Sequence, residues 1–144
     1  MAPVPIEDNF KLLCPPCSNI MVIGENQRFM AALITFKVVV DLAKGGVPTT
    51  ELDPMAIKYF KDTLGVNIQT SVEACKNQKV YEHIEKCIAQ TNKKSVSKAA
   101  HIKKFKLIPV DFSLPGGELT PTMKLKRKVT EGKYAKEIQE IYSV

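Results

Sequence analysis

Apolar and polar positions divide the chain into short blocks of different period. Pro5–Leu13 fits a short helix: Glu7 and Asp8 sit near its start, where negative charge suits the helix dipole, and Pro15 and Pro16 stop it. Ile20–Ile23 and Phe29–Val40 are apolar and rich in β-branched residues, and the polar stretch Gly24–Arg28 between them predicts a hairpin. The second run is too continuously apolar for a half-exposed edge strand, so it is expected to lie centrally. Leu42–Leu52 holds Gly45, Gly46, Pro48 and two threonines, and reads as a loop.

Helix signals follow. Asp53 precedes Pro54, the stripe Met55, Tyr59, Phe60 and Leu64 comes next, and Gly65 closes it. Thr70 and Glu73 have capping-box spacing and open a helical stretch to about Asn92, with Tyr81, Ile84 and Ile88 on its inner face and a break near Asn77. A lysine- and serine-rich connector leads into Ile102–Val110, a strand with Phe105 and Leu107 on one face. Pro115-Gly116-Gly117 is a turn, and Tyr134, Ile138, Ile141 and Tyr142 mark a short amphipathic helix. This order predicts an α+β fold: a small mixed sheet with a hairpin, flanked by helices.

Composition narrows the picture. With 144 residues, 44% of them apolar and 25% charged, the chain has the makings of one core and needs no disulfide staples. No apolar run reaches the roughly 18 residues of a membrane span; the longest, Phe29–Val40, is broken by Lys37. The start, MAPVPIEDNF, lacks the basic stretch and apolar core of a secretory signal. Charge is uneven: residues 1–92 hold nine Lys/Arg against ten Asp/Glu, and residues 93–144 hold twelve against five. A basic C-terminal third suits an anionic partner such as a nucleotide, coenzyme phosphates or an acidic surface, and suits equally a solvated lysine-rich face.

The four cysteines do not form an extracellular framework. Cys14 and Cys17 bracket two prolines, and a Cys-x-x-Cys pair is half a zinc site or a redox motif; His83 and Cys87, at i, i+4, would supply another half. Against this, the two pairs are far apart and no thioredoxin-like strand precedes the first. The expectation is therefore no metal, with the prolines making a plain chain reversal and Cys87 a core residue beside Ile84 and Ile88. His83 and His101 lie in or beside lysine-rich stretches and are expected at the surface, not as catalytic bases.

The most informative stretch is GGELTPTMKLKR, residues 116–127. A Gly-Gly turn followed by Thr, Pro, Thr and three cations in four positions would place one lysine at a loop tip, able to meet a phosphate or carboxylate oxygen as a compact point charge. Such a lysine stabilises developing negative charge and does not shuttle a proton. A solvated basic loop is the plainer reading of the same spacing.

This segment, followed by KYAKEIQEIY, resembles the C-terminal end of long-chain fatty acyl-CoA synthetases of the bubblegum type, in the adenylate-forming, AMP-binding enzyme superfamily. HIKKFKLIPVDFS is similar to the strand leading into that motif, NIMVIGENQRFMAALITFKVVVD to the family's hairpin, and APVPIED to the stretch after its hinge. The resemblance implies an AMP-binding enzyme C-terminal fold: residues 1–17 as a hinge-proximal segment and 18–144 as a mobile lid, with the large ATP-binding N-terminal domain absent. It assigns the catalytic lysine to Lys124, with Lys126 and Arg127 as candidates for touching a phosphate or forming an ion pair. Where the superfamily usually has Gly before this lysine, Met123 stands here.

The implied reaction joins fatty acid, ATP and CoA to give acyl-CoA, AMP and pyrophosphate. ATP with Mg2+ and coenzyme A would be substrates of the complete enzyme, and none is expected to bind tightly to this chain alone, which should be inactive without the positioning supplied by the large domain. The implied partners are that domain, fatty acyl-adenylate and CoA. The implied location is cytoplasmic, with peripheral contact at the endoplasmic reticulum membrane. The alternative is a non-catalytic module derived from such a lid, docking on a protein or membrane through its lysine-rich third. Nucleic-acid binding rests on charge alone, with no recognition motif, and is not expected.

Overall fold

The computed structural model describes residues 3–24, 27–94 and 101–143. Part of the predicted hairpin turn (25–26) and most of the lysine- and serine-rich connector (95–100) lie outside the described residues. Helix α1 (Pro3–Leu13) ends at the two prolines, and strand β1 (Cys17–Ile23) follows at once. Strand β2 (Met30–Phe36) returns antiparallel to it, with Ile20 opposite Ile34 and Val22 opposite Ala32. The expected hairpin is present, but the long apolar run is not one strand. Lys37 is exposed, donates its N–H to the Pro16 carbonyl and accepts from Asp53 N–H, so the chain leaves the sheet there.

Val38–Asp41 becomes β3 of a second, two-stranded sheet whose partner is β4 (Val47–Leu52), in the stretch expected to be a loop. The turn signals were real but confined to a single 3-10 turn, Leu42–Lys44, ended by Gly45 and Gly46 at φ +79° and +84°. The residues after them have enough β-branched character to pair, and an edge strand tolerates the missing N–H of Pro48.

Helix α2 (Pro54–Leu64) is capped as expected: Asp53 accepts from Met55 N–H, and Gly65 closes it at φ +66°. Helices α3 (Ser71–Lys76) and α4 (Gln78–Lys93) are separate, because Asn77 leaves the helical region and caps α4 with its side chain. Ile84 and Ile88 are buried as expected; Tyr81 is instead 37% exposed and stacks on Phe105 at 4.7 Å. Strand β5 (Ile102–Ile108) then pairs parallel to β2, a crossover that α2, α3 and α4 provide. The order β1-β2-β5 puts β2 in the middle, which is why its sequence is apolar throughout.

Both faces of this sheet are covered. Ile20, Val22, Ala32 and Ile34 join Phe10, Phe36, Phe60 and Ile84 in the larger core, toward the first four helices. Met21, Ile23, Ala31 and Leu33 face the smaller one, with Phe112, Leu119, Tyr134 and Ile141. The C-terminal region supplies that second cover as α5 (Arg127–Lys133), which the sequence pattern did not reveal, and α6 (Ala135–Tyr142).

Candidate functional site

Between β5 and α5 the chain folds into a small hairpin. Its root is built around Glu118, 1% exposed although charged. The Glu118 carboxylate accepts from Ser113 N–H at 3.1 Å and pairs with Lys133 Nζ at 2.5 Å. Glu118 and Leu119 N–H both bond to the Ser113 carbonyl. The Gly-Gly turn serves this packing: a Cβ on Gly116 would lie 2.3 Å from Glu118 Oε1, and Gly117 adopts φ +88°.

The arms meet at Leu119 and Leu125, a single antiparallel bridge. Thr120 N–H bonds to the Lys124 carbonyl, Met123 N–H to the Thr120 carbonyl, and Lys124 N–H to Thr120 Oγ1, at 2.8, 2.8 and 3.1 Å. This is a three-residue hairpin loop, Pro121-Thr122-Met123, whose last residue takes a left-handed conformation; Met123 has φ +66°. Among the described residues Met123 alone is a non-glycine at positive φ. The geometry explains why glycine suits this position and why a 65%-exposed methionine, free of packing constraints, is accommodated there.

Lys124 follows immediately. It is exposed, and among the described residues no carboxylate lies within ion-pair distance of its ammonium. It borders a groove of ≈ 490 Å³ between the hairpin and α1, lined also by Val4, Asp8, Lys11 and Met123. Lys126 is likewise exposed and unpaired among the described residues, while its backbone is fixed by a bond from its N–H to the Glu118 carbonyl.

Arg127 is placed differently. Its guanidinium grips Glu7 with two bonds, at 2.9 Å and 2.6 Å. Glu7 is 4% exposed and also accepts from Val22 N–H at 2.8 Å. This hydrogen bond with Glu7 holds the Arg127 pKa above its ordinary value, against the opposing effect of burial. The pair thus joins α1, strand β1 and the start of α5. Glu7 and Glu118 were missed as organising residues by sequence reasoning. Glu118 stands beside the Gly-Gly turn in the motif, but only burial distinguishes it from a surface acid.

The histidines do not join the hairpin. His83 is half-buried on α4, not a surface residue, and its Nε2 lies 2.8 Å from the Tyr59 hydroxyl. Cys14, expected to be remote from His83 and Cys87, is close to them, with Cys17 beside it: the fold turns α1 so that its C-terminal end abuts α4.

The family model described as "AMP-binding enzyme C-terminal domain" matches residues 61–144. The chain belongs to that family. It is 39% identical over 142 residues to the long-chain-fatty-acid–CoA ligase ACSBG2 of Gallus gallus, covering 98% of this chain and 18% of that protein. It is 31% identical over 161 residues to the long-chain-fatty-acid–CoA ligase heimdall of Drosophila melanogaster, covering 97% of this chain and 24% of that one. It therefore spans about a fifth of the length of these relatives. Among solved structures, the adenylation domain of a carboxylate reductase from Mycobacterium chelonae matches with TM-score 0.65 and 18% identity, over 100% of this chain and 18% of that one. The adenylation–carrier didomain of a carboxylic acid reductase from Segniliparus rugosus, in complex with AMP, matches with TM-score 0.64 and 16% identity, over 99% of this chain and 16% of that one. The α+β architecture is thus the one these domains share.

Proposed function

We propose that the chain works as the lid of an ATP-dependent long-chain fatty acid–CoA ligase, with Lys124 as its catalytic residue. The observation that carries this reading is the placement of Lys124: an exposed ammonium at the end of a hydrogen-bonded hairpin tip, in a chain 39% identical over 142 residues to a long-chain-fatty-acid–CoA ligase. In the first half-reaction a carboxylate oxygen of the fatty acid attacks the α-phosphorus of ATP, and pyrophosphate leaves. Negative charge then builds on the bridging oxygen, and Lys124 meets it as a point charge. Lys126, two residues on and exposed, lies near enough in sequence to face the same phosphates. Arg127 acts behind them, holding the hairpin to α1 through Glu7. In the second half-reaction the CoA sulfur attacks the acyl carbonyl, AMP leaves, and another face of the lid covers the coenzyme.

Magnesium and the nucleotide belong, in this reading, to the large adenylation domain. Exposed lysines without carboxylate partners suit phosphate and supply no set of oxygen ligands for magnesium. The test is acyl-CoA formation from ATP, CoA and a long-chain fatty acid. The chain would be assayed alone and mixed with a long-chain ligase that lacks its own C-terminal domain. Activity in the mixture, absent with Lys124→Ala, is the expected result. Turnover by the chain alone, or a mixture indifferent to Lys124, would overturn the reading.

A further inference from the structure

The turn after α1 and one face of α4 gather side chains that the hairpin chemistry does not use. The sulfurs of Cys14 and Cys17 lie 3.0 Å apart across the Pro15-Pro16 turn. His83 and Cys87 are one helical turn apart on α4, with Cys87 Sγ 3.8 Å from His83 Nε2 and 3.5 Å from the Leu13 carbonyl. A ligand atom from each of Cys14, His83 and Cys87 lies within 4.8 Å of the others. The three cysteines are buried, at 0%, 2% and 3% exposure, and His83 is half-buried.

The grouping of Cys14, His83 and Cys87 suits a metal. A tetrahedral centre with arms of about 2.0–2.3 Å has edges of about 3.4–3.8 Å. The Cys87–His83 separation already has that length; the Cys14–Cys17 approach is shorter than such an edge, so Cys17 draws back from Cys14 on ligation. Reactivity as a dithiol needs a thiolate. Cys14 follows the C-terminal end of α1, where the helix dipole disfavours negative charge. A bound divalent cation reverses that preference, and three sulfurs with one imidazole form a soft set that selects zinc-like ions.

We propose that Cys14, His83 and Cys87, whose ligand atoms are already gathered, form with Cys17, which lies outside that 4.8 Å group and turns in from beside Cys14, a Cys3His site for one zinc-class divalent cation, stapling the α1–β1 turn to α4. On ligation three S–H bonds give way to three metal–sulfur bonds, three protons go to solvent, and the imidazole lends its Nε2 lone pair. No oxidation state changes. His83 gives up its bond to the Tyr59 hydroxyl. That hydroxyl stays beside the site as a donor toward a thiolate sulfur.

The test uses the full chain, reduced and stripped of metal, titrated with cobalt(II) alone and then with zinc(II). The expected result is the visible spectrum of tetrahedral thiolate-bound cobalt, saturating at one equivalent, bleached by one equivalent of zinc, and accompanied by a rise in thermal midpoint with zinc. Cys87→Ala should abolish the spectrum and His83→Gln should weaken binding at least tenfold. Cys75→Ser, a half-buried cysteine outside the group, should leave both unchanged. Far-UV circular dichroism separates lost ligation from lost fold. If a ligand variant does not fold, the stoichiometry and thiolate signature of the unaltered chain still decide. A reduced, folded chain without that spectrum at one equivalent, or an unchanged spectrum in folded Cys87→Ala, would overturn the proposal.

Discussion

At the tip of the hairpin Lys124 leaves its ammonium in solvent, beside a groove and in no ion pair among the described residues. At its root, three residues later, Arg127 is locked to a carboxylate that is itself almost fully buried. The two cations share one motif and one charge, yet the fold uses them in opposite ways. Guanidinium matches a carboxylate with two parallel bonds and is suited to being held; an ammonium on a flexible stem is suited to finding a partner that arrives later. A run of basic residues is therefore not one functional unit. Its members divide by what faces them.

The largest expected effect sharpens that division at the tip. Lys124→Ala should slow acyl-adenylate formation in the reconstituted mixture by about 100-fold or more, the scale of losing one transition-state charge contact. The same variant should leave the denaturant midpoint of the isolated chain unchanged, to within about 0.5 kcal/mol. Arg127→Ala should show the reverse priority. It strands Glu7 with only the Val22 N–H, and urea unfolding should report a loss of about 3 kcal/mol, toward the low end for a broken buried pair because the guanidinium is 31% exposed. If Arg127→Ala is as stable as the parent, the root is not a clamp and the contrast fails.

Smaller changes probe how each region is built. Gly116→Ala drives a methyl into Glu118 Oε1 and Ser113 Oγ, and should cost about 2 kcal/mol in thermal or urea unfolding. Met123→Gly removes the strain of a side chain at φ +66° but adds backbone freedom to the unfolded chain. These terms oppose each other at about 1 kcal/mol each, so stability should move by no more than about 0.5 kcal/mol. A large drop there would mean that the methionine side chain is held by contacts its exposure does not suggest.

Local chemistry was legible and distant pairing was not. The Asp53–Pro54 start and Gly65 stop of α2, the Thr70 capping box and the break at Asn77 all act within a few residues, and each lies where its pattern indicated. The β1–β2 hairpin and the central place of β2 could be read from their apolar, β-branched runs, and a lysine at a loop tip from the glycines and cations of the motif. Strand β4 was hidden because Gly45, Gly46 and Pro48 outweighed the pairing capacity of the residues around them. Arg127 meets Glu7 across 120 positions, and Cys14 approaches Cys87 only because α1 docks on α4. Nothing local encodes such meetings: they are properties of packing, and a free surface lysine and a clamped arginine look alike until the packing is known.

The bonds that tie Thr120 to Lys124 also limit the cost of using the lysine. Closing a lid over a substrate usually means ordering backbone as well as side chain, at about 1–2 kcal/mol of lost conformational entropy for each residue fixed. In this hairpin the backbone on both sides of the tip is already fixed before any substrate arrives. What remains to be ordered is the side chain of Lys124, worth up to about 2 kcal/mol. In the proposed lid role, the tip would meet the large domain as a rigid stem with one flexible end, and most of the attraction it found there would be left over for chemistry.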